Sequence, residues 1–276
     1  MRRFTQVDVF TDEPYRGNPV AVVHDAEGLS DEEMQRFSNW TNLSETTFLL
    51  PPTTPEADYR VRIFTPAQEL PFAGHPTLGT CHTWLTNGGK SAKDDIVVQE
   101  CAAGLIRLRR DGMRLAFAAP PLVRSGPVDE STIGEAAAAL GLDRSAIIDA
   151  QWADNGPGWL AVRLADAEAV LSVTMPTSTE LNLGLVGAYP EGGPADIEVR
   201  AFFSGAGAMF EDPVTGSLNA SLAQWLLGSG QLTAPYVSSQ GTALGRAGLA
   251  HISQDENGTI WVGGDTTTCI VGEVDL

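Results

Sequence analysis

The sequence predicts an α+β protein of two homologous lobes, each a barrel-like mixed β-sheet wrapped around a central buried helix. Three observations predict it. First, three anchors recur in one order. Asn18-Pro19-Val20-Ala21-Val22 resembles Asn155-Gly156-Pro157-Gly158-Trp159-Leu160-Ala161-Val162. Asn42-Leu43-Ser44 resembles Asn182-Leu183-Gly184. Val61-Arg62-Ile63-Phe64, leading to His75-Pro76, resembles Val199-Arg200-Ala201-Phe202, leading to Asp212-Pro213. The copies stand 137 to 140 residues apart in a chain of 276, so they read as a duplication. Second, short β-rich segments punctuated by turn residues dominate both halves. Third, Leu70 to Gly89 and Pro213 to Gly245 contain no Asp, Glu, Lys or Arg. A surface helix needs a polar face, so helices drawn from these stretches belong inside a sheet.

The elements follow in order. Phe4–Phe10, Val20–Val23, Thr47–Leu50 and Tyr59–Phe64 read as strands around a helix at Asp31–Trp40, whose start carries the capping box Ser30-x-x-Glu33. The helix after His75 ends at Gly88-Gly89, and the helix after Asp212 ends at Gly228. Each is expected to open with proline at its first position, where the missing N–H costs nothing. Pro120-Pro121 and Ser125-Gly126-Pro127 read as the linker between halves. Ser131–Leu140 reads as a helix with the box Thr132-x-x-Glu135 and Gly141 as its stop. Trp159–Arg163, Asp196–Phe203, Tyr236–Gln240, Gly248–Ile252, Ile260–Gly263 and Cys269–Val274 read as strands. The lobes are placed at 1–119 and 120–265, with the strand near 266–276 free to return to the first.

Charge narrows the function. Seventeen Lys and Arg against thirty-five Asp and Glu give −18, with no basic tract to follow a phosphate backbone or anionic lipid, so neither nucleic acid nor membrane is expected as partner. No apolar run approaches the roughly 18 residues of a membrane-crossing helix. No signal peptide is expected ahead of Phe4, and three scattered cysteines fit a reducing, cytoplasmic setting. A Walker A segment and a Gly-x-Ser-x-Gly elbow are missing, and Gly205-Ala-Gly207-Ala-Met-Phe210 lacks the last glycine of a dinucleotide fingerprint. His75 and His82 share a helix without the spacing of a zinc site, so no metal is expected, and Cys81 reads as a core thiol. Acid–base chemistry without a cofactor is what remains.

The candidate residues sit where that chemistry can be built. Gly74-His75-Pro76-Thr77 marks the mouth of one buried helix and Asp212-Pro213-Val214-Thr215-Gly216-Ser217 that of the other. Free amides at such mouths favour an anion, and the natural ligand is a small carboxylate. Alone, the first segment is equally a capped helix start and Asp212 reads more readily as a plain N-cap; their pairing across the repeat shifts both toward a ligand site. Glu45 opens an apolar strand, where it reads either as a solvated edge residue or as a partly desolvated base. Leu185 is taken as its counterpart in the second half, making the halves alike in scaffold and different in chemistry.

Val7-Asp8-Val9-Phe10-Thr11, Gly17-Asn18-Pro19-Val20-Ala21-Val22, Asn42-Leu43-Ser44-Glu45-Thr46, Gly74-His75-Pro76-Thr77-Leu78-Gly79, Asn155-Gly156-Pro157 and Glu211-Asp212-Pro213-Val214-Thr215-Gly216-Ser217 together resemble the PhzF-like family of phenazine biosynthesis. The resemblance implies the diaminopimelate epimerase-like fold, a homodimer, and a proton-shifting isomerase of the trans-2,3-dihydro-3-hydroxyanthranilate type that needs no metal or cofactor. It further implies that Glu45 moves the proton while His75 and Asp212 address the substrate's amino and hydroxyl groups. Gly74, Thr77, Gly216 and Ser217 are implied as carboxylate binders. Ser204 departs from the pattern, which more often has proline before the glycine. Two other readings stay open: an amino-acid epimerase or racemase on the same fold, disfavoured by the lack of cysteines at the two mouths, and a non-catalytic metabolite or protein binder.

Overall fold

The computed structural model describes residues 1–276 apart from Met113, Ser178, Ala206 and Gly207. Ala206 and Gly207, central to the glycine pattern weighed against a dinucleotide fingerprint, therefore lie outside the described residues. In chain order the elements are β1 (Arg2–Val9), β2 (Asn18–Val23), α1 (Asp31–Thr41), β3 (Glu45–Leu50), β4 (Tyr59–Phe64), β5 (Glu69–Leu70), α2 (Gly74–Thr86), β6 (Ile96–Cys101), β7 (Gly104–Asp111) and β8 (Arg114–Ala118). They continue with β9 (Arg124–Pro127), α3 (Glu130–Leu140), β10 (Asp149–Asp154), β11 (Trp159–Arg163), α4 (Ala167–Ser172) and β12 (Asn182–Ala188). The rest are β13 (Ile197–Gly205), β14 (Ala208–Asp212), α5 (Gly216–Gly228), β15 (Tyr236–Gln240), β16 (Gly248–Gln254), β17 (Ile260–Gly264) and β18 (Thr266–Val274). The chain divides into two compact units, residues 1–118 with 263–276, and residues 119–262.

In the first unit β1–β2 is antiparallel, β2–β3 parallel, β3–β4 antiparallel, β4–β6 parallel and β6–β7 antiparallel. In the second, β10, β11, β12, β13, β15 and β16 repeat that succession pair for pair. The edge of β1 breaks the sequence order. The outer partner of β1 is β18, from the far end of the chain, whereas the outer partner of β10 is β9, which directly precedes it. Residues 125–127, read above as linker, thus belong to a strand. Their backbone groups pair with β10, and the Arg124 guanidinium lies 3.3 Å from the Trp152 ring centroid, a cation–π contact.

The charge-free helices are the hubs. In α2 the residues from Gly74 to Cys81 are all buried, and the helix is touched by β1, β2, β3, β6, β8 and β18. Gly79 makes that possible: a Cβ there would stand 2.4 Å from Val20 and 2.9 Å from Val7. In α5 Leu218 to Ala223 are buried, and the close approach is arranged the other way round, with the glycine on the strand. Gly184 of β12 leaves the space that Leu218 fills, a Cβ on it falling 2.3 Å from Leu218 Cδ1. Burying a leucine such as Leu78 or Leu218 completely stabilises the fold by about 2 kcal/mol.

Local corrections are instructive. The first capping box forms as written, with Glu33 N–H donating to Ser30 Oγ and Ser30 N–H to Glu33 Oε2. The second does not. α3 starts earlier, capped by Asp129, which accepts from Thr132 N–H at 2.9 Å; Glu135 instead accepts from the Thr179 hydroxyl. An aspartate three residues before an available amide outcompetes a threonine already inside the helix. Neither central helix opens on proline. Pro76 is the third residue of α2, and Pro213 stands three residues before α5.

Candidate functional site

The register between the units reassigns the counterparts. Arg62 and Arg200 each grip a glutamate with Nε and Nη2, namely Glu69 and Glu211. Phe64 lies opposite Glu69 and Phe202 opposite Glu211, so Leu70 and Asp212 end matching strands. Both strands run on through proline to a helix that starts four residues later, after Ala73 and after Thr215. The counterpart of Asp212 is therefore Leu70, and that of His75 is Ser217. The match of His75-Pro76 to Asp212-Pro213 drawn from sequence is out by five residues, because two His/Asp-Pro pairs coincide in spacing without coinciding in structure. The same ladder sets Thr46 and Leu183 opposite Phe64 and Phe202. It makes Asn182, not Leu185, the counterpart of Glu45.

In the first unit Glu45 and His75 come together. Glu45 is the first residue of β3, placed beside Val20 by the parallel ladder, and its side chain is 15% exposed. His75, 5% exposed, enters from the first turn of α2, with Nε2 3.3 Å from Glu45 Oε2. Its Nδ1 lies 3.4 Å from Asn18 Nδ2. Burial pushes the imidazole down to about 3, outweighing the hydrogen bond to the Pro19 backbone, so the ring is neutral near pH 7. Asn18 and Pro19 are themselves held. Gly17 N–H donates to buried Asp8 Oδ2 at 2.8 Å, and a Cβ at Gly17 would fall 2.2 Å from the Val9 carbonyl oxygen. Only glycine allows that approach.

Gly74 begins α2. Thr77 is fully buried, its N–H spent on the Ala73 carbonyl and its Oγ1 accepting from Gln99 Nε2 at 2.9 Å. Cys81 is buried in the same helix and burial pushes its thiol up to about 12, as suits packing rather than nucleophilic attack. His82 faces Thr268 Oγ1 at 2.9 Å, so the two helix histidines address different partners. Among the described residues no three His, Cys, Asp or Glu side chains are grouped to hold a metal ion.

In the second unit Asp212 closes β14 and is 8% exposed, with Oδ2 accepting from Thr215 Oγ1 at 2.6 Å. Gly216 opens α5. Ser217 Oγ accepts from the indole N–H of fully buried Trp159 at 3.1 Å, and its carbonyl accepts from Asn155 Nδ2 at 3.0 Å. Asp154 Oδ1 gathers the N–H groups of Gly156 and Gly158, folding the turn that presents Asn155. The Ser204 departure has a local reason: Ser204 N–H donates to Asn182 Oδ1 at 2.8 Å, a bond proline cannot make.

Sequence reasoning missed Asp8, Asn18 and Gln240 as supports of these groups. A buried aspartate in the apolar run Val7-Asp8-Val9 is a readable signal, whereas Gln240 carries none, since its partners lie more than twenty residues away.

The family model for phenazine biosynthesis-like proteins matches residues 7–272. The chain is 39% identical to the fission yeast (Schizosaccharomyces pombe) protein named antisense-enhancing sequence 1, over 98% of this chain and 97% of the relative. It is 36% identical to trans-2,3-dihydro-3-hydroxyanthranilate isomerase of Pseudomonas aeruginosa, over 89% and 88%. The crystal structure of a PhzF family phenazine biosynthesis protein from Enterococcus faecalis superposes with a TM-score of 0.80 at 26% identity, covering 100% of this chain and 99% of the other. The duplicated fold, the buried glutamate–histidine pair and these matches agree: the chain belongs to the phenazine biosynthesis-like family, a family of isomerases.

Proposed function

We propose that this protein is a cofactor-independent isomerase that moves a proton between carbons of a small cyclic or amino-acid-like carboxylate, of the trans-2,3-dihydro-3-hydroxyanthranilate type. The observation that carries the reading is the Glu45–His75 pair, 3.3 Å apart and largely withdrawn from water. Such a shift needs one group to take a proton from carbon and return it to another carbon, with little water to intercept it. Glu45 is assigned that role. A neutral His75 leaves the carboxylate unquenched by a full positive charge, and as a hydrogen-bonding ring it addresses the substrate's polar groups.

Asp212 is assigned to the substrate's amino or hydroxyl group. Gly74, Thr77, Gly216 and Ser217 are assigned to its carboxylate, consistent with their places in the first turns of α2 and α5, where the helix dipole favours negative charge. Among the described residues no helix is long and apolar enough to cross a membrane. The same reading makes the protein a cytoplasmic homodimer.

The test is turnover of trans-2,3-dihydro-3-hydroxyanthranilate and related small carboxylates in deuterated water, followed by NMR. Deuterium should enter the carbon that gains the proton, and Glu45→Gln should lower kcat by at least about 10²-fold, the usual contribution of a general base. A Glu45→Gln rate equal to wild type would remove Glu45 from the mechanism. Tight binding without exchange or turnover would replace the isomerase by a binder.

A further inference from the structure

Resting on the assignment of Asp212 to the substrate, we propose that Gln240 and Thr215 are positioning residues that lock Asp212 in the hydrogen-bond-accepting, carboxylate form, so that it recognises a donor group on the ligand. Gln240 ends β15 and is 1% exposed. An amide side chain offers two donors and two acceptor sites, and all four are used. Oε1 accepts from Thr215 N–H and Asn219 Nδ2, each at 2.9 Å. Nε2 donates to the Asp212 carbonyl at 3.1 Å and to Thr215 Oγ1 at 2.9 Å.

The direction of every bond follows. Oε1 faces two N–H donors, so the amide cannot be flipped without setting donor against donor. Because Nε2 fills a lone pair of Thr215 Oγ1, the hydroxyl proton points away from Gln240, toward Asp212 Oδ2 at 2.6 Å. A proton on that carboxylate oxygen would then meet another O–H. A hydrogen bond donated to a carboxylate favours its charged form, and charge-assisted bonds are the strong ones.

The first unit supplies the control. At the places of Asp212 and Thr215 it has Leu70 and Ala73. Arg60 lies opposite Glu100, so the register continued by one residue brings Cys101 opposite Val61, as Gln240 lies opposite Val199. All three members of the relay are thus replaced together, yet α2 is as long as α5 and starts from Ala73 without a side-chain cap. The first mouth is tied instead by Gln99 of β6, whose Nε2 donates to Thr77 Oγ1, a bond in which no carboxylate takes part. Of the two mouths, the one that carries the acid has the Thr215–Gln240 relay, and the relay's bonds end on that acid.

The full chain, labelled with ¹³C-carboxyl aspartate, tests this without any substrate, the Asp212 resonance being assigned by its loss in Asp212→Asn. In Thr215→Val the pH midpoint of that resonance should rise by about one unit or more, and Thr215→Ser should restore it. The acidic limb of kcat/KM for the converted carboxylate should move by the same amount. Thr215→Ala copies the residue that the first unit carries there and serves where Thr215→Val does not fold. A midpoint unmoved in a folded Thr215→Val or Thr215→Ala protein overturns the relay, even if turnover is normal. A moved midpoint with no turnover of any carboxylate would sink the isomerase reading and leave the relay standing.

Discussion

The two arginine clamps are the clearest place to compare the units. Arg62 and Arg200 occupy the same position of matching strands, hold a glutamate of the next strand in two parallel bonds, and lie over the phenylalanine two residues on, 5.1 and 4.8 Å from its centroid. Their remaining nitrogens part company. Arg62 Nη1 reaches Asp31 in the first turn of α1. Arg200 Nη1 donates to the carbonyls of Val170 and Val173 at the end of α4, satisfying groups a helix terminus leaves open. The first clamp is partly solvated, at 23% and 35% exposure, and the second is buried, at 5% and 3%. Duplication kept the bond pattern and let its surroundings diverge. The same holds at the helix mouths, where matching strand-to-helix connections carry His75 in the first unit and the Asp212 relay in the second.

That difference in burial sets the largest expected effect. Glu211→Gln leaves a buried guanidinium without its counter-charge and should cost about 3–5 kcal/mol of stability. Glu69→Gln, at the partly exposed clamp, should cost about 0–1 kcal/mol, because water and salt screen that pair. Urea unfolding of the two variants measures both. Equal losses would mean that the clamps, despite their different exposure, do the same structural job.

Next in size is a pH effect confined to one mouth. His75 has its ionisation lowered by burial to about 3, and Ser217, its counterpart, does not titrate. The unfolded chain binds a proton at this histidine near pH 6.5, so the stability it contributes is present above that pH and lost as pH falls toward 3. Between pH 7 and pH 4.5 the loss should be about 2–3 kcal/mol. His24 and His82 are also lowered by burial and act in the same direction. The informative quantity is therefore the difference between wild type and His75→Gln, which should lose that much less over the same range. Parallel curves would show that His75 gains a proton without cost, its charge met by Glu45 3.3 Å away rather than penalised by burial.

The sequence made the duplication and the two buried helices readable, because both rest on signals within one segment: recurrent anchors and runs free of charge. Glu45, His75 and Asp212 stood out by residue type beside an element's end or start. Their true counterparts did not, since His75-Pro76 and Asp212-Pro213 match in letters while the strand ladder aligns Leu70 with Asp212. Register is a property of hydrogen bonds between segments, and no local pattern reports it. For the same reason residues 125–127 proved to belong to a strand, and Gln240 went unnoticed until Asp212, Thr215 and Asn219, distant in sequence, were brought around it. The Asp129 cap, by contrast, was local and readable: it competes with Thr132 within one turn.

The smallest expected difference lies in how each central helix meets its sheet. In the first unit the space is left by the helix, at Gly79, and faces Val20, Val7 and Val9, short branched side chains fixed in two neighbouring strands. In the second it is left by the strand, at Gly184, and faces the far end of Leu218, which has other rotamers available. Alanine at Gly79 must push β1 or β2 outward, and the gain of up to about 1 kcal/mol in helix propensity does not offset that. Gly79→Ala should therefore lose about 2–3 kcal/mol and Gly184→Ala about 1 kcal/mol, the upper and lower parts of the range for overpacked cores. Thermal unfolding of the two variants reads the difference directly. The reverse order would show that β1 and β2 yield more readily than a single leucine, and that the first unit's sheet is the softer of the two.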